Sequence, residues 1–260
     1  MASTETVIAN LSLLKMGQSP IDDIDGTDVL SVKCNLIFDQ TRDELLTMGP
    51  EDGWKFAKRT YHGIDRESFT ITGFASASTT TTTVTATHTL VAGDMVTITG
   101  TTNYDGTYDV ESVSTTVSFV ITKTYVADDA TGTAYWTSED YGYRYAVPTC
   151  KKVVAVKSGG VELPDWVRIG DYILTNQEDT DVDMEIVQSI TTVTLFPDHF
   201  VRVFVLMMAI QLHYNLTQDL KAIQLLGQEL DLAMPKAIAQ DERQKYTQLK
   251  DTSWVDAGRM

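Results

Sequence analysis

Residues 197–214 read PDHFVRVFVLMMAIQLHY, and they organise the rest of this chain. Apolar residues lie on almost every side of the helix that this stretch predicts, which leaves no polar face for solvent. Pro197 suits the first turn of a helix, and Asp198 suits its positive end. We therefore predict that this helix is the centre of a helical body.

A second long helix is predicted after it, from about Thr217 to Gln244. Leu226, Leu230 and Ala233 recur at helical spacing within it. Pro235 lacks a backbone N–H group and should kink or break this helix.

The N-terminal residues also predict helices. Val7, Leu11 and Leu14 recur at i, i+4 and i+7, with Ile8 beside them, and Gly17 ends the pattern. These residues predict a first helix from about residue 4 to residue 15.

Two more helices are predicted before residue 60. Thr27 or Asp28 is a good N-cap for the second, which should end before Gly49. A short third helix should carry Trp54, with basic residues up to Arg59 near its negative end.

The composition changes to Thr, Val, Gly and Ser between residues 69 and 137. Apolar and polar residues alternate in 95–99 and in 108–113, and the Asp105-Gly106 pair supplies a tight turn. The threonine run 79–83 has no period and should link strands. We predict an inserted β-barrel or sandwich of about five to seven strands.

Short strands are also predicted between residues 139 and 195, at 150–156, 165–169, 172–176 and 184–190. The predicted fold class is therefore α+β: a helical body built from the N- and C-terminal helices, with a strand-rich segment and an inserted small β-barrel or sandwich. The predicted regions are an N-terminal helical region (residues 1–66), the inserted β domain (67–138), a strand-rich region (139–195), C-terminal helices (196–246) and a C-terminal arm (247–260).

The net charge of −16, from 20 basic and 36 acidic residues, argues against a nucleic-acid-binding surface. One interpretation is that the charge serves solubility. Another is that it forms a surface past which DNA slides without sticking, because carboxylates repel phosphate.

Motifs that would indicate catalysis or metal binding are lacking in the sequence. The run 179–183 begins like a calcium loop, but it has Met184 and Ile190 where glycine and glutamate are required. Cys34 and Cys150 make neither a disulfide framework nor a zinc spacing. No metal-binding pair at helical spacing is formed by the histidines, which are His62, His88, His199 and His213. We predict no catalytic residue, no cofactor and no metal site, and a protein that is not an enzyme.

Several segments, in order along the chain, resemble the head-to-tail adaptor proteins of tailed bacteriophages, the tail tubular protein A-like family. The resemblance covers roughly residues 4–65 and 140–260. The segments are 7–17 (VIANLSLLKMG), 43–46 (DELL), 54–59 (WKFAKR), 145–148 (YAVP), 196–200 (FPDHF) and 253–259 (SWVDAGR). Residues 88–94 and 104–108 instead resemble small β modules of phage tail proteins. That insert and Pro235 depart from the family pattern.

The resemblance implies a structural subunit of the virion neck, assembled in the bacterial host cytoplasm. Subunits of the family form a ring, a dodecamer, between the portal protein and the next tail component (a nozzle or tail protein). The ring would extend the DNA channel without binding DNA specifically, and no membrane is involved.

The candidate interface residues lie in the C-terminal arm. Trp254, Val255 and Arg259 are the expected contacts with a partner, because the arm is otherwise polar and a buried tryptophan is a common interface hot spot.

Two alternatives from other classes stay open: a virion-associated cell-wall hydrolase and a glycan-binding protein. A lytic band on a peptidoglycan gel would favour the hydrolase. Binding of residues 66–138 to a glycan array would favour the glycan-binding protein.

Overall fold

The computed structural model describes residues 4–127, 131–178, 181–217 and 219–243. Within them lie four α-helices and fourteen β-strands in three antiparallel sheets, which confirms the α+β class. The described residues of Met1–Lys58 and Val187–Met260 form one compact unit, the helical unit, and Arg59–Ile186 form a second, the β unit.

The helical unit contains α1 (Glu5–Lys15), α2 (Val29–Met48), α3 (Asp198–Leu216) and α4 (Leu220–Glu242). Helices α1, α2 and α4 each pack on α3. Twelve residues of α3 are buried, including Phe200, Phe204 and Leu212, so the prediction of a central helix is confirmed. A short 3-10 helix, Val193–Leu195, precedes α3.

Side chains cap three of these helices, and the cap of α2 is Asp28, one of the two residues that the sequence suggested. Thr4 Oγ1 accepts a hydrogen bond from the Val7 N–H, and Asp28 Oδ1 accepts from the N–H groups of Leu30 and Ser31. Asp219 does the same for α4. These contacts satisfy N–H groups that the helices leave without an internal partner.

The predicted third helix is wrong. Gly53 turns the chain with φ +73°, and Trp54 enters the core, where its indole N–H donates to the Leu45 carbonyl at 2.9 Å. Because the burial of Trp54 fixes this segment, it forms turns, and a strand already begins at Lys58.

Helix α4 continues through Pro235, so the expected break does not occur. The proline ring is exposed, and so is Asp231, whose carbonyl is the one deprived of its i+4 donor. Solvent can hydrogen-bond that carbonyl, which makes the proline tolerable here.

The β unit contains three sheets. The four-stranded sheet has the order β1-β14-β10-β11 and the three-stranded sheet β12-β13-β9. Their strands are β1 (Lys58–Asp65), β9 (Tyr143–Ala146), β10 (Lys152–Ser158), β11 (Val161–Glu162), β12 (Trp166–Ile169), β13 (Tyr172–Thr175) and β14 (Asp181–Val187).

The seven-stranded sheet has the order β2-β8-β5-β6-β7-β4-β3. Its strands are β2 (Ser68–Thr70), β3 (Gly73–Ser76), β4 (Thr82–Thr85), β5 (Met95–Thr99), β6 (Gly106–Thr115), β7 (Ser118–Ile121) and β8 (Thr133–Thr137). The edge strands β2 and β3 are only two residues apart in sequence. The sheet must therefore curl until its edges approach each other, which favours the barrel over the sandwich, the two alternatives that the sequence left open.

Two details of the β unit differ from the sequence predictions. Thr82 and Thr83 belong to β4 and do not link strands, and Thr82 is fully buried. The strand predicted at 184–190 is β14, and it begins earlier, at Asp181 within the acidic run, while residues 179 and 180 lie outside the described ranges. There Asp183 accepts a hydrogen bond from the Gly63 N–H at 3.1 Å, so pairing between strands explains its position.

Two arginines lie between aromatic rings of the seven-stranded and three-stranded sheets. The Arg144 guanidinium stacks on Trp136 (4.7 Å to the ring centroid) and Tyr172 (4.3 Å), and it forms an ion pair with Glu67. Arg66 stacks in the same way on two tyrosines. We name this contact between the two sheets the arginine seam; its residues are Arg66, Glu67, Tyr135, Trp136, Tyr143, Arg144 and Tyr172.

Removing residues 69–137 and joining the ends with a short Gly/Ser linker is expected to leave a folded helical unit. The deletion removes all but one residue of the seven-stranded sheet, and none of α1 to α4. Circular dichroism during heating would check this. A shorter deletion, of residues 69–99, is the control, because it leaves unpaired strand edges and should aggregate. Loss of the cooperative transition in the full deletion would contradict the prediction.

Candidate functional site

One exposed apolar feature of the helical unit is a stripe on α1. Val7, Leu11 and Leu14 are 45%, 42% and 71% exposed, although all three are aliphatic. The face of α1 that packs into the core is the opposite one, formed by Ile8, Ala9, Ser12 and Leu13. We call Val7, Leu11 and Leu14 the α1 ridge.

A groove of about 430 Å³ runs along one side of the α1 ridge. Val201 and Val205 of α3 lie in its lining, together with Leu11 and Leu14. Its full lining is Leu11, Leu14, Lys15, Asp198, Val201, Arg202, Val205, Leu206 and Glu229. Apolar side chains thus form most of a concave surface that is open to solvent.

Charged side chains surround this groove. Lys15 Nζ lies 2.7 Å from Glu229 Oε1, and both side chains are about 40% exposed, so the pair adds little stability. Asp198 and the exposed Arg202 complete the set. The two cations and two anions make the lining of the groove electrically neutral, although the net charge of the whole chain is −16.

A second concave surface, of about 330 Å³, lies on the other side of the α1 ridge. Asn10, Gln18 and Pro20 line it with the three ridge residues. The Asn10 side chain is fixed, because its amide donates to the Ile21 carbonyl (2.9 Å) and its oxygen accepts from the Ile21 N–H (2.8 Å). The α1 ridge therefore stands between two grooves, one of which has a rigid wall.

Helix α2 has an exposed apolar stripe of its own. Val29, Val32 and Leu36 are 69%, 44% and 73% exposed and recur at i, i+3 and i+7, which places them on one side of the helix. Cys34, Phe38 and the other buried residues lie on the opposite side. We call Val29, Val32 and Leu36 the α2 stripe.

Acidic residues flank the α2 stripe. Asp39 lies seven residues after Val32 on the same side of the helix, and Asp25 accepts a hydrogen bond from Asn35 at 2.8 Å. Burial raises the pKa of Glu5, and the carboxylates of Asp39 and Asp25 raise it further, while Arg42 acts in the opposite direction. The three carboxylates are thus close enough to interact, and Arg42 Nη1, 2.6 Å from Asp39 Oδ1, offsets part of their charge.

Helix α4 also exposes leucines on its outer side. Leu225 and Leu232 are 68% and 67% exposed and lie seven residues apart. Lys221 and Lys236, each one helical turn from one of them, flank the pair. Glu229 lies one turn from both leucines on the same side of α4, so charges of both signs border this third apolar surface.

A buried pair of side chains, His199 on α3 and Asp241 on α4, connects these two helices. Asp241 is fully buried, its Oδ2 accepts from the Lys55 N–H at 3.0 Å, and its Oδ1 lies 3.3 Å from His199 Nε2. The His199 ring in turn lies against Trp54. These contacts hold the turns around Trp54 to the helices, so we assign them a structural role.

The residues predicted as the interface, Trp254, Val255 and Arg259, lie outside the described residues. Within the described ranges there is no group of three or more His, Cys, Asp or Glu residues placed to hold a metal ion. None of the helices in those ranges combines the length and the apolar character needed to cross a membrane.

Comparison with models of protein families gave no match for this chain, and comparison with curated proteins found no similar sequence.

The apolar surfaces on α1 and α2 were not recognised from the sequence as candidate sites. The sequence did contain a signal for the α1 surface, since seven of the ten residues from Val7 to Met16 are apolar. One buried face of a helix cannot hold that many apolar residues, so some of them must be exposed. The α2 stripe gave a weaker signal, because Ser31, Lys33 and Asn35 interrupt the apolar residues of this stretch.

Proposed function

We propose that this chain is a structural subunit of the ring at the head–tail junction of a tailed bacteriophage. The observation that carries the proposal is the α1 ridge with its two grooves. Segment 7–17, which resembles the adaptor family, forms α1, and segment 196–200 leads into α3. Leu11 and Leu14 of the first segment and Asp198 of the second therefore line the exposed apolar surface, which needs a protein partner to cover it.

The helical unit suits such a ring because its contacts are rigid. Helices α1, α2 and α4 surround a buried α3, and aromatic rings such as Trp54 and Phe200 (5.3 Å between centroids) interlock inside. Side-to-side contacts between identical subunits close into a ring when each is related to the next by a fixed rotation. The portal would lie on one side of the ring and the next tail component on the other.

The purified chain is expected to bind duplex DNA poorly even at low salt. Its acids outnumber its bases by 16, and the repulsion acts within about 8 Å of the surface at physiological salt. Fluorescence anisotropy with a short labelled duplex would measure this, with a basic DNA-binding protein as a positive control. Micromolar binding that weakens steeply as salt rises would contradict a non-adhesive channel.

Electron microscopy of virions that carry this chain tests the proposal directly. We expect a ring of density between the portal and the tail, and the helical unit should fit into each subunit of that ring. Location of the chain on the outer capsid or on fibres would contradict the proposal and favour glycan binding. A lytic band from the purified chain on a peptidoglycan gel would favour the hydrolase.

A further inference from the structure

We propose that the C-terminal arm (residues 247–260) binds to the helical unit of its own chain, with Trp254 seated in the groove of about 430 Å³ between α1 and α3. We call this groove the α1–α3 groove. The inference goes beyond the proposed ring, because it concerns the free subunit. It assigns one occupant to an apolar surface that the described residues leave open to solvent.

The α1–α3 groove can enclose a bulky side chain because three helices line it. Leu11 and Leu14 come from α1, Val201 and Val205 from α3, and Glu229 from α4. An aromatic side chain contributes most to binding when a pocket of this kind removes it from water. The residues of the α2 stripe all belong to one helix, and so do the exposed leucines of α4. Among these surfaces, the groove is therefore the one that can surround an aromatic ring.

The described part of the chain ends beside the α1–α3 groove. Asp241, in the last turn of α4, lies 3.3 Å from His199 on α3 (Oδ1 to Nε2). The residue before His199 is Asp198, which lines the groove. The residues that follow α4 therefore start near the N-terminal end of α3, where the groove begins.

The length of the chain after α4 is sufficient for this contact. On α3 the lining runs from Asp198 to Leu206, which is about 12 Å of helix. Trp254 comes eleven residues after Arg243, the last described residue, and eleven extended residues span at most about 36–40 Å. Trp254 can therefore reach every part of the groove. A binding segment tethered this closely has an effective concentration on the order of millimolar, so a contact of modest affinity is sufficient.

Charge permits this occupant, and apolar content selects it. The lining of the groove is neutral, and residues 244–260 contain three basic and two acidic side chains, so no repulsion opposes the contact. Trp254 is the one aromatic residue of the arm, and with Val255 it forms the one adjacent pair of large apolar residues there. This pair is the part of the arm that gains most from leaving water.

The contact would have a consequence for assembly, and this consequence rests on the proposed function. A partner that covers the α1–α3 groove in the ring would have to displace the arm, which would release Trp254 at the same moment. Free subunits would meanwhile keep an apolar surface covered, which limits their non-specific association.

Cysteine labelling in the full chain tests the contact. Arg202 is exposed and lines the groove, so Arg202→Cys places a thiol there and keeps the apolar lining. Cys150 is replaced by Ser in all variants, and Cys34 stays, because it is fully buried and burial raises the pKa of its thiol to about 11. Addition of Trp254→Ala is expected to raise the rate of maleimide labelling at position 202 by roughly tenfold, because the arm then loses its main anchor.

Leu36→Cys is the matched control for labelling. Leu36 lies on α2 outside the groove and is 73% exposed, so Trp254→Ala should leave the labelling rate at position 36 unchanged. Circular dichroism during heating checks that each variant is folded. Equal rates at position 202 with and without Trp254 would overturn the inference.

Crosslinking decides whether the arm belongs to the same chain. Arg202→Cys is combined with Val255→Cys, which keeps Trp254, and the variant is treated with a short bis-maleimide. We expect a monomer linked between positions 202 and 255, identified by peptide mass spectrometry, with a yield that does not change on dilution. Leu232→Cys combined with Val255→Cys is the control, because position 232 lies only about 17 Å along α4 from Arg243 but outside the groove. Its yield should be lower by roughly tenfold.

Other products would overturn the inference. Dimers linked between positions 202 and 255, with a yield that falls on dilution, would show that a neighbouring copy supplies the arm. Equal yields for the 202–255 and 232–255 variants would show that the arm has no preferred position. A ring in micrographs of the virion neck, with neither protection nor the 202–255 link, would remove the inference and leave the proposed function intact. Protection and the link without a ring would do the reverse.

Discussion

Replacing Phe200 by alanine is expected to lower the free energy of unfolding of the helical unit by about 3–5 kcal/mol. Phe200 is fully buried on α3. Its ring meets those of Trp54, Phe56 and Phe196 at centroid distances of 5.3, 4.9 and 5.0 Å. The large loss follows because the neighbouring rings belong to separate segments and cannot all move into the cavity.

Denaturant unfolding followed by tryptophan fluorescence would measure this change, since Trp54 lies beside the site. Tyr214→Ala on the same helix is the control. Tyr214 is 56% exposed, so its removal should change the free energy by less than about 0.5 kcal/mol. A similar small effect for Phe200→Ala would mean that the core is not organised around α3.

Arg144→Met is expected to destabilise the β unit by about 3–5 kcal/mol, because it leaves the Glu67 carboxylate buried without its cation. The two side chains are 8% and 13% exposed. The variant also loses the hydrogen bond from Arg144 to Thr89 Oγ1 at 3.1 Å. The arginine seam would then keep its aromatic rings and lose the charge between them.

The double variant Arg144→Met/Glu67→Gln separates these effects. The double variant removes the unpaired charge of Glu67 and should therefore recover part of the lost free energy of unfolding. Unfolding of both variants in urea would measure the difference. His62→Gln is the comparison, because His62 pairs with Asp183 at the surface with 74% of its side chain exposed. If Arg144→Met behaves like His62→Gln, the ion pair in the arginine seam contributes nothing measurable.

Much of the fold could be predicted from local patterns. Helices α1 to α3 have clear N-terminal signals in Thr4, Asp28 and Pro197, and their apolar content defines their lengths. The seven-stranded sheet was recognisable because apolar and polar residues alternate repeatedly within one segment. These features depend on neighbouring residues, which a sequence displays directly. The tight turn predicted at Asp105-Gly106 is wrong, because Gly106 is already the first residue of β6 and pairs with Ile98.

Failures arose where contacts distant in sequence outweigh local preference. The segment around Trp54 has helical composition, yet the indole N–H bond to Leu45 and the Asp241 bond to the Lys55 N–H fix it as turns. Pro235 breaks a local rule but faces solvent. The local sequence around Trp54 or Pro235 does not indicate which distant residues, or whether solvent, will contact it.

The candidate site was harder to predict for the same reason. The i, i+4, i+7 repeat of Val7, Leu11 and Leu14 indicates a helix correctly, but such a repeat does not say which apolar side is the internal one. Only the position of α3 decides that Ile8 and Leu13 are inside and the α1 ridge outside.

The pairing of β2 with β8 has a consequence for how this gene can change. Ser68 lies opposite Tyr135, so the chain enters and leaves the seven-stranded sheet at points about 5 Å apart. The chain ends therefore impose only a narrow gap on the segment between them, and the arginine seam adds contacts to Tyr135 and Trp136 in its last strand. Since the entropy of closing a loop grows by only about 0.6 kcal/mol per doubling of its length, recombination can change the length of this segment at little entropic cost when the contacts of the arginine seam are kept. Chains that share the helical unit can carry a different module, or a short hairpin, at this position.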